Sequence, residues 1–196
     1  TDPEARGPWE RCLVGTGLAP MWSVPVENIR QIVQTSADLV IYTEEGADTR
    51  IIGIGAPHRP AAIKSRLGDS TARWDGDILV VETLNQIDNY APFATMPQSV
   101  RVQSRIVEHF SLLSPNEILY RFTIEDPALY SAPWSTEYSF HREHTTAYEN
   151  GCHEGITACP AFSAPSASRK HGTTSHADSW RVKAAFTVPV NFIDPG

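Results

Sequence analysis

Residues Ile118 to Glu125 alternate strictly. Ile118, Tyr120, Phe122 and Ile124 fall on one side and Leu119, Arg121, Thr123 and Glu125 on the other. Successive side chains of a strand point to opposite faces, so this run predicts a strand with one buried face. The same period predicts strands in which Val100, Val102, Ile106 and Phe110 oppose Arg101, Gln103, Arg105 and His109, and in which Trp134, Thr136, Tyr138 and Phe140 oppose Ser135, Glu137, Ser139 and His141. Ser114-Pro115-Asn116 turns the chain between the first two runs, and Glu125-Asp126-Pro127 ends the second, because proline cannot donate to a ladder.

Upstream, Gly68 to Thr83 reads as strand, turn and strand, with the turn at Asp75-Gly76; glycine accepts the positive φ that tight hairpins need. Ile78 to Val81 is unbroken apolar, which predicts a central strand covered on both faces. Ile29–Thr35, Leu39–Thr43 and Thr49–Ile54 form earlier strands around Ser36-Ala37-Asp38 and Glu45-Gly46-Ala47-Asp48, and Thr145–Glu149 a late one. Trp180, Val182, Phe186, Val188 and Val190 suggest an edge segment, which Pro189 weakens. About nine strands and no long helix predict an all-β fold, an antiparallel meander forming a barrel or strongly curved sheet, lipocalin-like in architecture. Residues 1–27, with Pro3, Pro8, Pro20 and Pro25, form an irregular N-terminal arm heavy enough in Leu18, Met21 and Trp22 to lie on the core. Residues 28–155 form the β domain, and 156–196, rich in Ala, Ser, Pro and Thr, a loop-rich, poorly structured tail.

At 196 residues the chain can bury a real core. A net charge of −7 argues against nucleic acid as a partner, since such binding needs cations to neutralise phosphates. The longest apolar runs are too short for a transmembrane segment. The chain starts at Thr1 with no leader, as expected of a processed form or a fragment, which leaves the compartment open. Cys12, Cys152 and Cys159 show no Cys-x-x-Cys spacing, so no structural zinc is expected. Counting alone leaves a disulfide staple and three thiols as equal alternatives. No cofactor is implied.

Candidate chemistry centres on His153-Glu154, a histidine beside a carboxylate, suited to general-base or anion-contact roles. His141 and His144 with His153 invite a metal, but i and i+3 on a strand face opposite ways, so no metal site is expected. Asp69-Ser70 near His58 lacks the nucleophile elbow of a hydrolase, and Asp69 is expected to pair with Arg73. Glu82 and Glu108 share register with apolar neighbours, which predicts partly buried carboxylates needing partners; Arg142 and His144 are the candidates. The expected site is one rim of the sheet, where the 55–73 loop, the 84–98 loop and the Cys152 corner meet. There His153 exchanges a proton, Glu154 or Asp69 orients it, and Arg73 holds a substrate oxygen. His58, Trp74, Trp134, Tyr138, Glu82 and Glu108 serve as ligand contacts. Two functions fit: a β-barrel enzyme acting on a small, partly apolar molecule as hydrolase, isomerase or cyclase, or a noncatalytic barrel binding a small ligand, polymer or partner protein. A hollow interior favours the first and a filled one the second.

Arg11-Cys12, Pro57-His58, Gly68-Asp69-Ser70, Arg73-Trp74, Gly76-Asp77, Leu79-Val80-Val81-Glu82-Thr83, Glu125-Asp126-Pro127, Pro133-Trp134 and Cys152-His153-Glu154-Gly155 stand in an order that resembles a large group of exported bacterial proteins. The resemblance covers about residues 9 to 155. It implies export, to the periplasm or beyond, and a Cys12–Cys152 disulfide with Cys159 unpaired; it implies no particular reaction. The chain reads Ala56-Pro57-His58-Arg59 where that group usually has Arg-Pro-His-Pro. After Gly155 the resemblance stops, and residues 156–196 are expected to derive from a frameshift.

Overall fold

The computed structural model describes residues 11–12, 17–21, 29–44, 48–87, 103–143 and 147, with the backbone alone of Lys183–Ala185. Nine strands make one sheet in chain order: β1 (Arg30–Gln34), β2 (Asp38–Thr43), β3 (Asp48–Ile54), β4 (Asp69–Asp75), β5 (Ile78–Leu84), β6 (Arg105–Ser114), β7 (Glu117–Glu125), β8 (Trp134–Glu143) and β9 (Lys183–Ala185). The first eight form a mostly antiparallel meander curled into a half-barrel, and the described residues contain no helix. The all-β fold expected from the alternation is therefore present. Among the described residues no helix is long and apolar enough to cross a membrane.

The inward set is the one the periodicity marks. Tyr120, Phe122 and Ile124 are fully buried, with Ile118 packed at the edge, while Arg121 is exposed. A slip of one residue would have put all four in water, so burial locks the register of β7 against β6 and β8. Tyr120 sits at the centre of an aromatic cluster, with ring centroids 5.1 Å from Phe110, 5.2 Å from Phe140 and 5.3 Å from Tyr138. β5 lies between β4 and β6, and its Leu79, Val80 and Val81 are all buried, as a strand covered on both faces requires.

Some boundaries differ from the expectation. The strand ending near Phe110 begins at Arg105 and runs on to Ser114. Val100 and Val102 lie outside the described residues, as do Thr145, Thr146, Tyr148 and Glu149 of the expected late strand and, except for the β9 backbone, the tail. Of residues 1–27, Met21 is fully buried, its N–H donates to Tyr120 Oη at 2.9 Å, and Tyr138 Oη donates to its carbonyl. Gln86 Nε2 donates to the Ala19 carbonyl at 3.0 Å.

One junction breaks the meander within the first eight strands, and β9 is added parallel to β8. β3 and β4 run parallel, because residues 55–68 carry the chain back to the starting end before β4 begins, and a parallel pair needs such a crossover. They pair only through Gly53 with Thr71 and Ile54 with Ala72. Toward their N-terminal ends the two strands part.

Candidate functional site

The registers give the half-barrel two ends. At one end lie Arg30, Thr43, Asp48, Asp69, Leu84, Arg105, Glu125 and Trp134; at the other lie Gln34, Leu39, Trp74, Ile78, Leu112 and Ile118. Polar groups gather at the first end, in two clusters on opposite faces of the sheet.

The outer cluster is built around His58. Its Nδ1 lies 2.8 Å from Asp69 Oδ2 and its Nε2 3.0 Å from Glu82 Oε2, with Thr71 Oγ1 3.1 Å from the same Nε2. Arg59 binds Asp69 twice, through its backbone N–H at 2.8 Å and Nε at 2.7 Å. Arg105 donates from Nε to Glu82 at 2.5 Å and from Nη1 to Glu125 at 2.8 Å. The placement follows from strand geometry. Asp69 and Thr71 share a face of β4, Glu82 is Thr71's direct partner on β5, and the 55–68 crossover delivers His58 and Arg59 above them.

Burial pushes the Asp69 carboxyl up, but hydrogen bonds from Arg59 and His58 outweigh it and hold Asp69 below its ordinary value of 3.8. Glu82 follows the same balance: burial opposes its ionised form, and Arg105 and His58 overcome it, so it too is lowered. Both folded values lie below the unfolded ones, so the unfolded chain binds more protons in this range. The stabilisation is complete above the ordinary carboxylate range and drains away as pH falls through and below about 4. Urea unfolding at pH 7, 5 and 3 should show a loss over the lowest interval that is markedly smaller in an Asp69→Asn/Glu82→Gln variant. Equal losses in both proteins would mean these carboxylates do not set the acid limit.

The inner cluster is an ion pair inside the barrel. Arg50 Nη1 donates to Glu108 Oε1 at 3.0 Å and Nη2 to Oε2 at 2.5 Å, in the two-pronged geometry suited to guanidinium and carboxylate. Neither side chain is more than 2% exposed. Tyr120 Oη donates to Glu108 Oε1 at 2.7 Å, and Arg50 Nη2 also reaches Ser70 and Thr83 hydroxyls, each at 3.2 Å. Burial draws the guanidinium down, yet the Glu108 charge more than offsets this and Arg50 ends above its ordinary value. Burial and then Glu108 raise the Tyr120 phenol well above its own.

Between the parted ends of β3 and β4 lies a cleft of about 380 Å³. Thr49, Ile51 and Gly53 line one bank, Gly68, Asp69, Ser70 and Thr71 the other, and Pro57, Arg59 and Ser65 of the crossover also border it. It opens beside both clusters, since Asp69 belongs to the outer one and Ser70 touches Arg50.

These positions rearrange the expected site. His58, Asp69 and Glu82 come together. Glu108, expected to be partly buried, is fully buried, on the face opposite Glu82, and its partners are Arg50 and Tyr120 rather than Arg142. Asp69 pairs with Arg59 in place of Arg73, because the crossover lays Arg59 directly on it, while Arg73 sits farther along β4 and is exposed. Trp74 is at the far end of the barrel. Trp134 and Tyr138 belong to the inner aromatic packing, Trp134 edge-on to Phe122 at 5.8 Å. Cys152, His153, Glu154, His144 and residues 88–98 lie outside the described residues, as therefore does the Cys12–Cys152 pairing. His141 is on β8, 3.9 Å from Glu117. No group of three or more His, Cys, Asp or Glu among the described residues is placed to hold a metal ion. Arg50 was absent from the expected site, yet its register with Ile52 and Ile54 is a sequence sign of an inward cation. Comparison with family models, curated proteins and solved structures returns no match.

Proposed function

We propose that this protein is a noncatalytic binding β-barrel of the cell envelope that takes a small polar ligand in the cleft between β3 and β4. The observation that carries this is the cleft itself: about 380 Å³, bordered by hydroxyls, backbone and the Asp69–Arg59 pair, on a rigid sheet. Two further features favour binding over acid–base chemistry. Both ring nitrogens of His58 already face carboxylates, so the ring is held in the sheet's own hydrogen-bond network. The concave side is filled among the described residues by Met21, Tyr120, Phe122, Phe140 and the Arg50–Glu108 pair, which removes the hollow interior an enclosed reaction would use. Export, and the Cys12–Cys152 disulfide that fits an oxidising compartment, are part of the proposal and draw on the resemblance to exported proteins.

Amide chemical-shift mapping with a panel of monosaccharides, amino acids and dicarboxylates tests the site. A true ligand should perturb Thr49, Gly53, Gly68 and Ser70 in a saturable manner. Thr49→Trp, at an exposed rim position, should abolish the shifts with the melting temperature unchanged. A panel that leaves the cleft silent, or any compound converted to product, would reject a noncatalytic cleft.

A further inference from the structure

The opposite end of the half-barrel carries a second, chemically different concavity. Three hairpins end there, and Ile32, Leu39, Leu79, Phe110 and Ile118 form the walls of an apolar pocket of about 50 Å³. That is several water-sized spheres, room for the last few carbons of an alkyl chain. Apolar side chains stay exposed at this end: Trp74 by 40%, Leu112 by 44% and Ile78 by 37%. The cost of leaving them wet grows with area, and a bound apolar group would relieve it.

Charge decides which apolar group. Asp77, in the β4–β5 turn, is the one charged residue lining the pocket, and the described residues include no ion-pair partner for it. An anionic head would meet that carboxylate and a chain of net charge −7. A cationic head would be drawn to Asp77, beside the exposed part of Trp74. We infer that this end binds a small amphiphilic cation, a short alkyl chain carrying an ammonium group, with the chain between Leu79, Phe110 and Ile118 and the head at Asp77 and Trp74. The site is separate from the β3–β4 cleft, so either can fail without the other.

Hexyltrimethylammonium, hexanol and hexanoate share a chain and differ in head charge. In calorimetric and amide-shift titrations the cation should bind saturably, perturb Trp74, Asp77 and Leu112, and outcompete hexanoate by about tenfold. Asp77→Asn should weaken the cation about fivefold, and Asp77→Lys should reverse the order of cation and anion; a superposable amide spectrum verifies the fold of each variant. Equal affinity for all three heads, unchanged affinity in Asp77→Asn, or shifts confined to other surfaces would each overturn the assignment.

Discussion

Replacing Glu108 with alanine should lower the free energy of unfolding by about 3–5 kcal/mol, the range for removing one partner of a buried ion pair. Arg50 would then keep its charge inside the barrel with, among the described residues, the Ser70 and Thr83 hydroxyls as its remaining hydrogen-bond partners. Tyr120 would lose the acceptor that its hydroxyl, buried at the centre of the aromatic cluster, now donates to. The loss therefore measures an orphaned guanidinium more than the value of the pair. The control is Arg50→Met/Glu108→Leu, which removes both charges at similar volume and should recover most of the stability. Urea denaturation of the two variants decides the matter. A single variant within about 1 kcal/mol of the parent, where surface pairs fall, would mean that water reaches the pair.

Gly68→Ala should cost about 2–5 kcal/mol, from two sources that a second variant separates. Gly68 has φ +78°, a left-handed conformation that costs a residue bearing a Cβ about 1–2 kcal/mol. An added Cβ would also stand 2.6 Å from Gln86 Cγ, 2.7 Å from Thr83 Cγ2 and 2.9 Å from the Leu84 carbonyl oxygen. Gln86 can shift only by disturbing its bond to Ala19, and the Leu84 oxygen is backbone. Gly76, at φ +58° in the β4–β5 turn, has nothing within 4 Å of the same Cβ. Gly76→Ala should therefore show the conformational cost alone, and the difference in unfolding free energy isolates the crowding. Equal losses at the two sites would show that the β4–β5 edge yields.

The strands and the faces they bury were legible because each rests on local alternation. Ile118, Tyr120, Phe122 and Ile124 point inward whatever their neighbours, since the pleat alternates and one side must leave water. The Asp75-Gly76 turn and the apolar Ile78–Val81 run were equally local signals, although only Leu79, Val80 and Val81 are covered and Ile78 stays exposed. Burial of Glu108 followed too, from its place among Ile106 and Phe110. Which group answers its charge did not: Arg50 is 58 residues away and reaches it only once the sheet has curled.

The same limit applies to the outer face. Asp69 met Arg59 rather than Arg73 because β3 and β4 run parallel, a decision made by where the 55–68 crossover sets the chain down. That crossover also brings His58 between Asp69 and Glu82 and leaves the gap that becomes the cleft. Alternation along a strand determines which side of the sheet a residue occupies, because pleating is a property of successive bonds. It carries no record of strand direction or of distant partners. Those depend on the balance of burial, loop closure and charge pairing over the whole fold, and only the tertiary structure decides them.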